Sequence, residues 1–387
     1  MKRILNIVKR ELHLWTKRPI YLVGSLGVML ATAVFFLTFF GKGMPEDIPI
    51  GVVDRDNSST SRNFVQQLDA TQLGQVVSFG SIAEARREME TGRISAYVVI
   101  PERFDEEVQA FHCPKLGVYV NGMNPVIGGA LSYKDILFMV NLTNGAVQRE
   151  VLRAKGVSEN EIMARIQPMV IDAHNIGNAP TSYAYYLVNM VLMGILGMCV
   201  TLVVAYAVGS ELKYGTSKHL LECAGDDIWT AVTGKLVPYT VLFTVLGTCL
   251  QLLLFGPLHY PCAGSVGWLI LATFAMILSY EAIAVFIVST VPTLRLGVCL
   301  SALYSVLGFS FAGFTLPISA LPAGVQGLSV LFPLRFYYQI YTQVVYFGNS
   351  FAAWWPLLAA LIAFQLLPFI LNRRLYNAYK YQNYPRN

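Results

Sequence analysis

Six apolar runs govern what this chain can fold into: Ile20–Phe40, Tyr183–Gly209, Ala231–Phe255, Val266–Val291, Leu296–Leu316 and Phe351–Leu371. A helix of ~20 apolar residues matches the ~30 Å hydrocarbon core of a bilayer. The spacing predicts an α-helical integral membrane protein with six transmembrane helices. Composition agrees, because only 13% of the residues are charged, against about 25% in soluble globular chains. The first run holds no charged residue and leads into Gly41-Lys42-Gly43 without an Ala-x-Ala site. It therefore reads as a retained span rather than a cleaved signal segment.

The charges are unevenly placed. Residues 41–182 hold 13 basic and 17 acidic side chains, a net −4, and the rest of the chain nets +9. That stretch reads as a water-soluble domain inserted between the first and second spans. Basic residues near span ends mark the cytoplasmic side. Lys2, Arg3, Lys9, Arg10, Lys17 and Arg18 precede the first span, opposed only by Glu11, and Arg373, Arg374, Lys380 and Arg386 follow the last. Both termini are expected in the cytoplasm, with residues 372–387 a basic tail and residues 41–182 extracytoplasmic.

Residues 1–19 are expected to form an amphipathic helix in the inner interface, with Ile4, Val8, Leu12 and Trp15 toward the acyl boundary. Within residues 41–182, strand and helix patterns alternate. Strands are expected at Ile48–Val53, Val76–Phe79, Ile94–Ile100 and Val118–Val120. Helices are expected at 60–70, behind a cap near Ser58, and at 81–91, with Ser81 and Glu84 as a capping box. This is the pattern of a small α/β sheet. A helical stalk from residue 125 to about Lys155, with a second helix from Ser158, leads back toward the spans. Cys113 and Cys262 share the outer side, so a disulfide between them is open, but spacing alone does not establish it.

Motifs exclude several chemistries. The sequence has no P-loop, nucleophile elbow, His-Glu-x-x-His or paired Cys-His ligand set. No catalytic residue and no metal site is expected, and nucleic acid is not an expected partner. Asp172 and His174 have no third partner and read as a solvated loop.

Three segments break the apolar pattern. Glu211-Leu-Lys-Tyr-Gly215-Thr216-Ser-Lys-His-Leu220-Leu221 follows the second span, and the segment 211–229 reads either as a protruding lever or as an ordinary polar loop with a surface helix. In the lever reading, Leu220 and Leu221 face a partner or the bilayer. Glu281 lies inside an apolar run, where a carboxylate costs ~2.5–3.5 kcal/mol. It is read as a conduit-lining group or as an interhelix hydrogen bond, as are Asn189 and Gln251. From Ala312 to Tyr346, prolines 317, 322 and 333 interrupt an apolar stretch whose one charge is Arg335. Non-helical backbone at membrane depth needs protein around it, so residues 317–346 are expected to form an outer re-entrant hairpin.

Taken in order, these segments resemble the ABC-2 type permeases, the membrane subunits of type-2 ABC exporters, in the branch with a large external domain after the first span. The resemblance rests on Lys9-Arg10-Glu11-Leu12, Pro49-Ile-Gly-Val-Val-Asp54 with Ser58 and Ser61, and Ala96-Tyr-Val-Val-Ile-Pro101. Glu211, Gly215 and Thr216 are similar to the family's entry to its coupling helix. Gly313-Phe-Thr-Leu-Pro317, Leu321-Pro322 and Pro333-Leu-Arg335-Phe-Tyr are similar to its hairpin. The chain departs from the family at Lys218, where a glutamate is usual, and at Ala224-Gly225, where Ser/Thr-Pro is common. The resemblance implies a bacterial inner-membrane permease, paired with a second permease and coupled to a separately encoded P-loop ATPase that binds ATP and magnesium. This chain would hold no cofactor of its own and would export an amphipathic or hydrophobic substrate. Membrane lipid, and through the external domain a periplasmic adaptor or outer-membrane channel, complete the expected partners. The competing expectation is a membrane-anchored receptor or envelope-assembly factor whose external domain binds a ligand.

Overall fold

The computed structural model describes residues 2–41, 43, 46–71, 74–110, 112, 114–122, 131–167, 177–178, 182–382 and 384. Cys113, one half of the disulfide left open above, and the Asp172–His174 loop lie outside them. The chain is mostly helical and divides into two compact units, residues 1–43 with 174–387, and residues 44–173.

The first unit opens with α1 (Lys2–Lys17) and α2 (Ile20–Phe39). Helix α1 is amphipathic, but its buried residues are Ile7 and Glu11, while Leu12 is exposed. The stripe of Ile4, Val8, Leu12 and Trp15 is therefore split: Trp15 packs on Tyr239, ring centres 5.1 Å apart, while Leu12 stays outside. Ile7 instead sits on Gly234, because Glu11 must reach basic partners inside the unit.

In the second unit, β1 (Ile48–Asp54), α3 (Ser59–Asp69), β2 (Gly74–Ser78), α4 (Ile82–Glu90), β3 (Ala96–Ile100), α5 (Phe104–Gln109) and β4 (Gly117–Val120) follow in turn. The strand order is β2-β1-β3-β4, with parallel pairings except for antiparallel β4. β1 is central and apolar on both faces, as parallel strands covered by helices are. Ile50 and Val52 pack with Phe64 and Leu68 of α3, and Val53 packs with Ala85 of α4. Local capping sets the helix starts. Ser58 Oγ accepts from the Ser61 N–H at 3.1 Å and Ser81 Oγ from the Glu84 N–H at 3.2 Å, satisfying donors that helix starts leave open. Asp56 accepts from the N–H groups of Phe104 and Asp105 at the start of α5. Hydrogen bonds from Ser58 and from these amides hold its carboxyl below the ordinary range. Helices α6 (Tyr133–Ala154) and α7 (Glu159–Ile166) close the unit.

The first unit resumes with α8 (Ala184–Lys213), α9 (Ser217–Ala224), α10 (Ile228–Phe255), α11 (Val266–Thr290) and α12 (Leu294–Ser310). Then come α13 (Ala323–Ser329), α14 (Pro333–Tyr341), α15 (Phe351–Ile370) and α16 (Asn372–Tyr381). By length and composition, five of these helices are long and apolar enough to cross a membrane: α2, α8, α10, α11 and α15. The fifth expected run falls short. Its helix, α12, has 17 residues and stops at Ser310 rather than Leu316, because Gly313 turns the chain at φ +92° and Pro317 follows. Helices α8 and α11 form the centre of the bundle, with 72% and 67% of their apolar windows buried. Gly197 makes that approach close: a Cβ there would stand 2.2 Å from the Tyr280 ring, the small-residue packing that membrane helices use.

Candidate functional site

The second apolar run continues as helix four residues past Gly209, so Glu211 belongs to the last turn of α8. Gly215, at φ +68°, ends the helix. The Thr216 N–H donates to Glu211 O at 3.0 Å and the Gly215 N–H to Leu212 O at 3.4 Å, a Schellman closure that needs the left-handed residue. Helix α9 then runs eight residues and closes the same way at Gly225, φ +75°, with the Asp226 N–H on Leu221 O. Asp227 caps α10 by accepting from the N–H groups of Trp229 and Thr230. The Thr230 hydroxyl bond and these amides hold its carboxyl below its ordinary value. Two glycine stops thus make α9 a short, sharply bounded element between two apolar helices.

Glu211 is 1% exposed, and three further charges meet around it. Arg10 of α1 grips it with both terminal nitrogens at 2.8 Å, the fork geometry that suits arginine to a carboxylate. Lys235 of α10 donates to Glu211 Oε1 and to Glu11 Oε1, each at 2.7 Å. Arg10 also reaches Glu11 Oε1 at 3.0 Å, Tyr239 OH donates to Glu11 Oε2 at 3.3 Å, and the Thr216 hydroxyl donates to Glu211. Two cations and two carboxylates make the cluster neutral. Burial works against the Arg10 charge, but the hydrogen bond and charge of Glu211 outweigh it and hold the guanidinium above its ordinary value. Helix α16 adds a second grip: the Ser217 hydroxyl donates to Tyr379 O at 2.9 Å, Tyr379 OH to Val208 O at 3.0 Å, and Gln382 Nε2 to Gly215 O at 2.6 Å. The turn carrying α9 is therefore fixed to α1, α8, α10 and α16 together.

A family model described as "ABC-2 family transporter protein" matches residues 19–373. The chain belongs to the ABC-2 transporter family. Among curated relatives, it is 22% identical over 368 residues to "Probable multidrug ABC transporter permease YbhR" of Escherichia coli strain K12, covering 92% of this chain and 94% of that one. It is 23% identical over 326 residues to "Inner membrane transport permease YhhJ" of the same strain, covering 81% of each chain.

In this ABC-2 chain the turn residues Glu211, Gly215 and Thr216 stand together, while Leu220 and Leu221 do not face outward. They are 0% and 3% exposed, buried with Ala224 in the bundle core. They hold α9 down, and the free face carries Lys218, His219 and Glu222. Four members of the cluster, Arg10, Glu11, Lys235 and Tyr239, were not among the expected site residues. Lys235 carried a usable signal: a charge inside an apolar run asks for a partner.

The two polar residues Asn189 and Gln251 come together at the other end of α8 and α10. Asn189 Nδ2 donates to Gln251 Oε1 at 3.3 Å, and Gln251 Nε2 donates to Tyr337 OH at 2.6 Å, with the Thr273 hydroxyl 3.4 Å from that phenol. Glu281 stands apart from them. It is 2% exposed, and both its oxygens lie within 2.9 Å of the Thr240 hydroxyl, with no ion pair among the described residues. That is the interhelix geometry, joining α10 to α11. In the segment before α15, each proline stands at the entry to a short helical piece: Pro317 before a turn at Ile318–Ala320, Pro322 before α13, and Pro333 at the start of α14. Proline's fixed φ and missing N–H suit it to such entries. Arg335 reaches back to Gln326 O and Ser329 Oγ. Among the described residues no three His, Cys, Asp or Glu side chains gather closely enough to ligate a metal.

Proposed function

We propose that this chain is the membrane subunit of an ATP-driven exporter, with its termini in the cytoplasm and residues 41–182 outside. In this reading α12, though only ~25 Å long by the helical rise, supplies the sixth span, its Leu296, Leu300, Leu303 and Val306 facing lipid. The observation that carries the reading is the neutral four-charge cluster that welds the end of α8, and through Thr216 the start of α9, to α1 and α10. A short helix held this rigidly transmits a push on its free face to the bundle rather than absorbing it. A separately encoded P-loop ATPase, carrying ATP and magnesium, docks on Lys218, His219 and Glu222. A second permease completes the conduit. An amphipathic or hydrophobic substrate suits a bundle this apolar, and one relative bears the name of a multidrug permease.

The test is co-purification with a P-loop ATPase from the same cells and assay in vesicles. Glu211→Ala should leave the complex assembled but cut permease-stimulated ATP hydrolysis roughly tenfold or more, whereas Lys218→Glu should weaken the complex itself. Full coupling in Glu211→Ala vesicles would sink the coupling role.

One observation favours an added role for the second unit. A groove of about 700 Å³ runs between α3, α5, β4 and α6, lined by Phe64, Phe104, Val108, Leu116 and Ile136. It suits the apolar segment of a periplasmic adaptor or channel, or a ligand if the chain is a receptor. Cysteine crosslinking from α3 in cells separates adaptor capture from a free domain.

A further inference from the structure

Two buried carboxyl groups of this chain sit in opposite surroundings. Glu211 accepts from Arg10, Lys235 and the Thr216 hydroxyl, the first two of them cations. Glu281, on α11, is 2% exposed, and its one hydrogen-bond partner among the described residues is the Thr240 hydroxyl of α10. An ionised carboxylate taken out of water without a cation is so costly that such a group takes up a proton instead.

The hydrogens around Thr240 point the same way. Its hydroxyl faces three oxygens: Glu281 Oε1 at 2.9 Å, Glu281 Oε2 at 2.8 Å and Leu236 O at 3.2 Å. A threonine hydroxyl has one hydrogen to donate, and an ionised carboxyl has none. A second hydrogen, on Glu281, lets the acid donate to Thr240 Oγ1. The Thr240 hydrogen is then free for Leu236 O, the back-bond that threonine makes within helices, or for the second carboxyl oxygen. A metal ion in place of that hydrogen would find one carboxyl and one hydroxyl, whereas calcium takes about 6–8 oxygens.

No other titratable group acts on Glu281. Tyr280, beside it on α11, turns to the Leu334 backbone. On α8, Glu211 is held by Arg10 and Lys235, and on α10 Lys235 and Tyr239 also bond Glu11. On α12, Tyr304 donates to Leu331 O and Arg295 is exposed. On α14, Tyr337 is bonded to Gln251, and Arg335 to Gln326 and Ser329. Tyr379 of α16 donates to Val208 O, and α15 carries no titratable side chain. We propose that Glu281 is a proton-binding site, held as the neutral acid, whose O–H bonds Thr240 and locks α10 to α11. Loss of that proton leaves a bare charge in the seam and loosens it. The lock depends on the packing of the bundle alone, whatever docks on α9.

Infrared difference spectra of the purified full chain in nanodiscs, wild type minus Glu281→Gln, read the proton directly. At neutral pH they should contain the C=O stretch of a protonated carboxyl, displaced by exchange into heavy water. Thr240→Val, which removes the acceptor, should keep this band and move it to higher frequency. Thermal unfolding reads the lock. Wild type and Glu281→Gln should melt together in acid, and the wild type should fall below the variant as pH rises, because only the glutamate can ionise. Carboxylate stretches in place of the protonated band at neutral pH overturn the proposal. So does a difference in melting that stays constant across the pH range. If Thr240→Val does not fold, the comparison with Glu281→Gln remains decisive, since glutamine matches the neutral acid in shape.

Discussion

Helices α8 and α10 are tied together twice, once by charges and once by neutral groups. At one end Glu211 meets Lys235, and at the other Asn189 meets Gln251. The two residues on α8 are separated by 22 positions, about 33 Å of helix. The charged tie lies where α1, α9 and α16 join the bundle, and each of its carboxylates finds at least two donors. The neutral tie adds α11 and α14 through Thr273 and Tyr337, and it leaves Asn189 Oδ1 without a partner among the described residues. Ionised groups away from water demand full pairing, whereas amides and hydroxyls tolerate an open valence at a smaller cost. The chain accordingly places its ion pairs at the end where extramembrane helices can contribute the missing partners.

Removing one member of each tie should expose this difference. Lys235→Met leaves two buried carboxylates sharing Arg10 alone, and breaking a buried ion pair costs about 3–5 kcal/mol. Thermal unfolding in detergent should show the largest loss of any single substitution here. Tyr337→Phe removes a hydroxyl from the neutral tie, which should cost about 1–2 kcal/mol, in line with interhelical hydrogen bonds in membranes. If the two variants unfolded together, the contrast between the ends would collapse.

A smaller effect is expected at the edge of the charged end. Asp227→Ala deletes the α10 cap, worth about 1 kcal/mol, and the same melting assay reads it. Because folding lowers the Asp227 pKa, its contribution is present above the ordinary carboxylate range and fades as pH falls through the lowered folded value. The variant and wild type should therefore converge in acid.

The contrast also marks what sequence makes legible. Run length sets the spans closely, with Val266–Val291 expected and Val266–Thr290 observed, because a bilayer imposes one length on any helix that crosses it. Turn chemistry is equally local, so the Gly215-Thr216 turn announces the start of α9, although the expected segment 211–229 runs past its end at Ala224. The clusters are not local. Glu11 finds Lys235 across 224 positions and Arg10 finds Glu211 across 201, and no periodicity within either segment points to the other. Burial of Leu220 and Leu221 escapes for the same reason: an amphipathic helix shows which face is apolar, not whether lipid, a partner or its own chain covers it. Only the packing of α1 and α16 decides that.

Glu281 is the sharpest challenge to the contrast, being a carboxyl group buried outside both ties, on Thr240 between Lys235 and Gln251 of α10. Its surroundings resemble those of an amide more than those of Glu211. Both oxygens converge on the Thr240 hydroxyl, and the described residues offer it no cation. An interhelical contact of this kind needs one acceptor, and a glutamine oxygen supplies it at nearly the same position and volume. Glu281→Gln should therefore shift unfolding by no more than about 0.6 kcal/mol, the mean worth of such bonds in a membrane bundle, and should leave transport in vesicles at wild-type level. Lost transport with an unchanged melting curve would instead place Glu281 on the substrate path. The bundle would then hold, between its two ties, a carboxylate that neither tie neutralises.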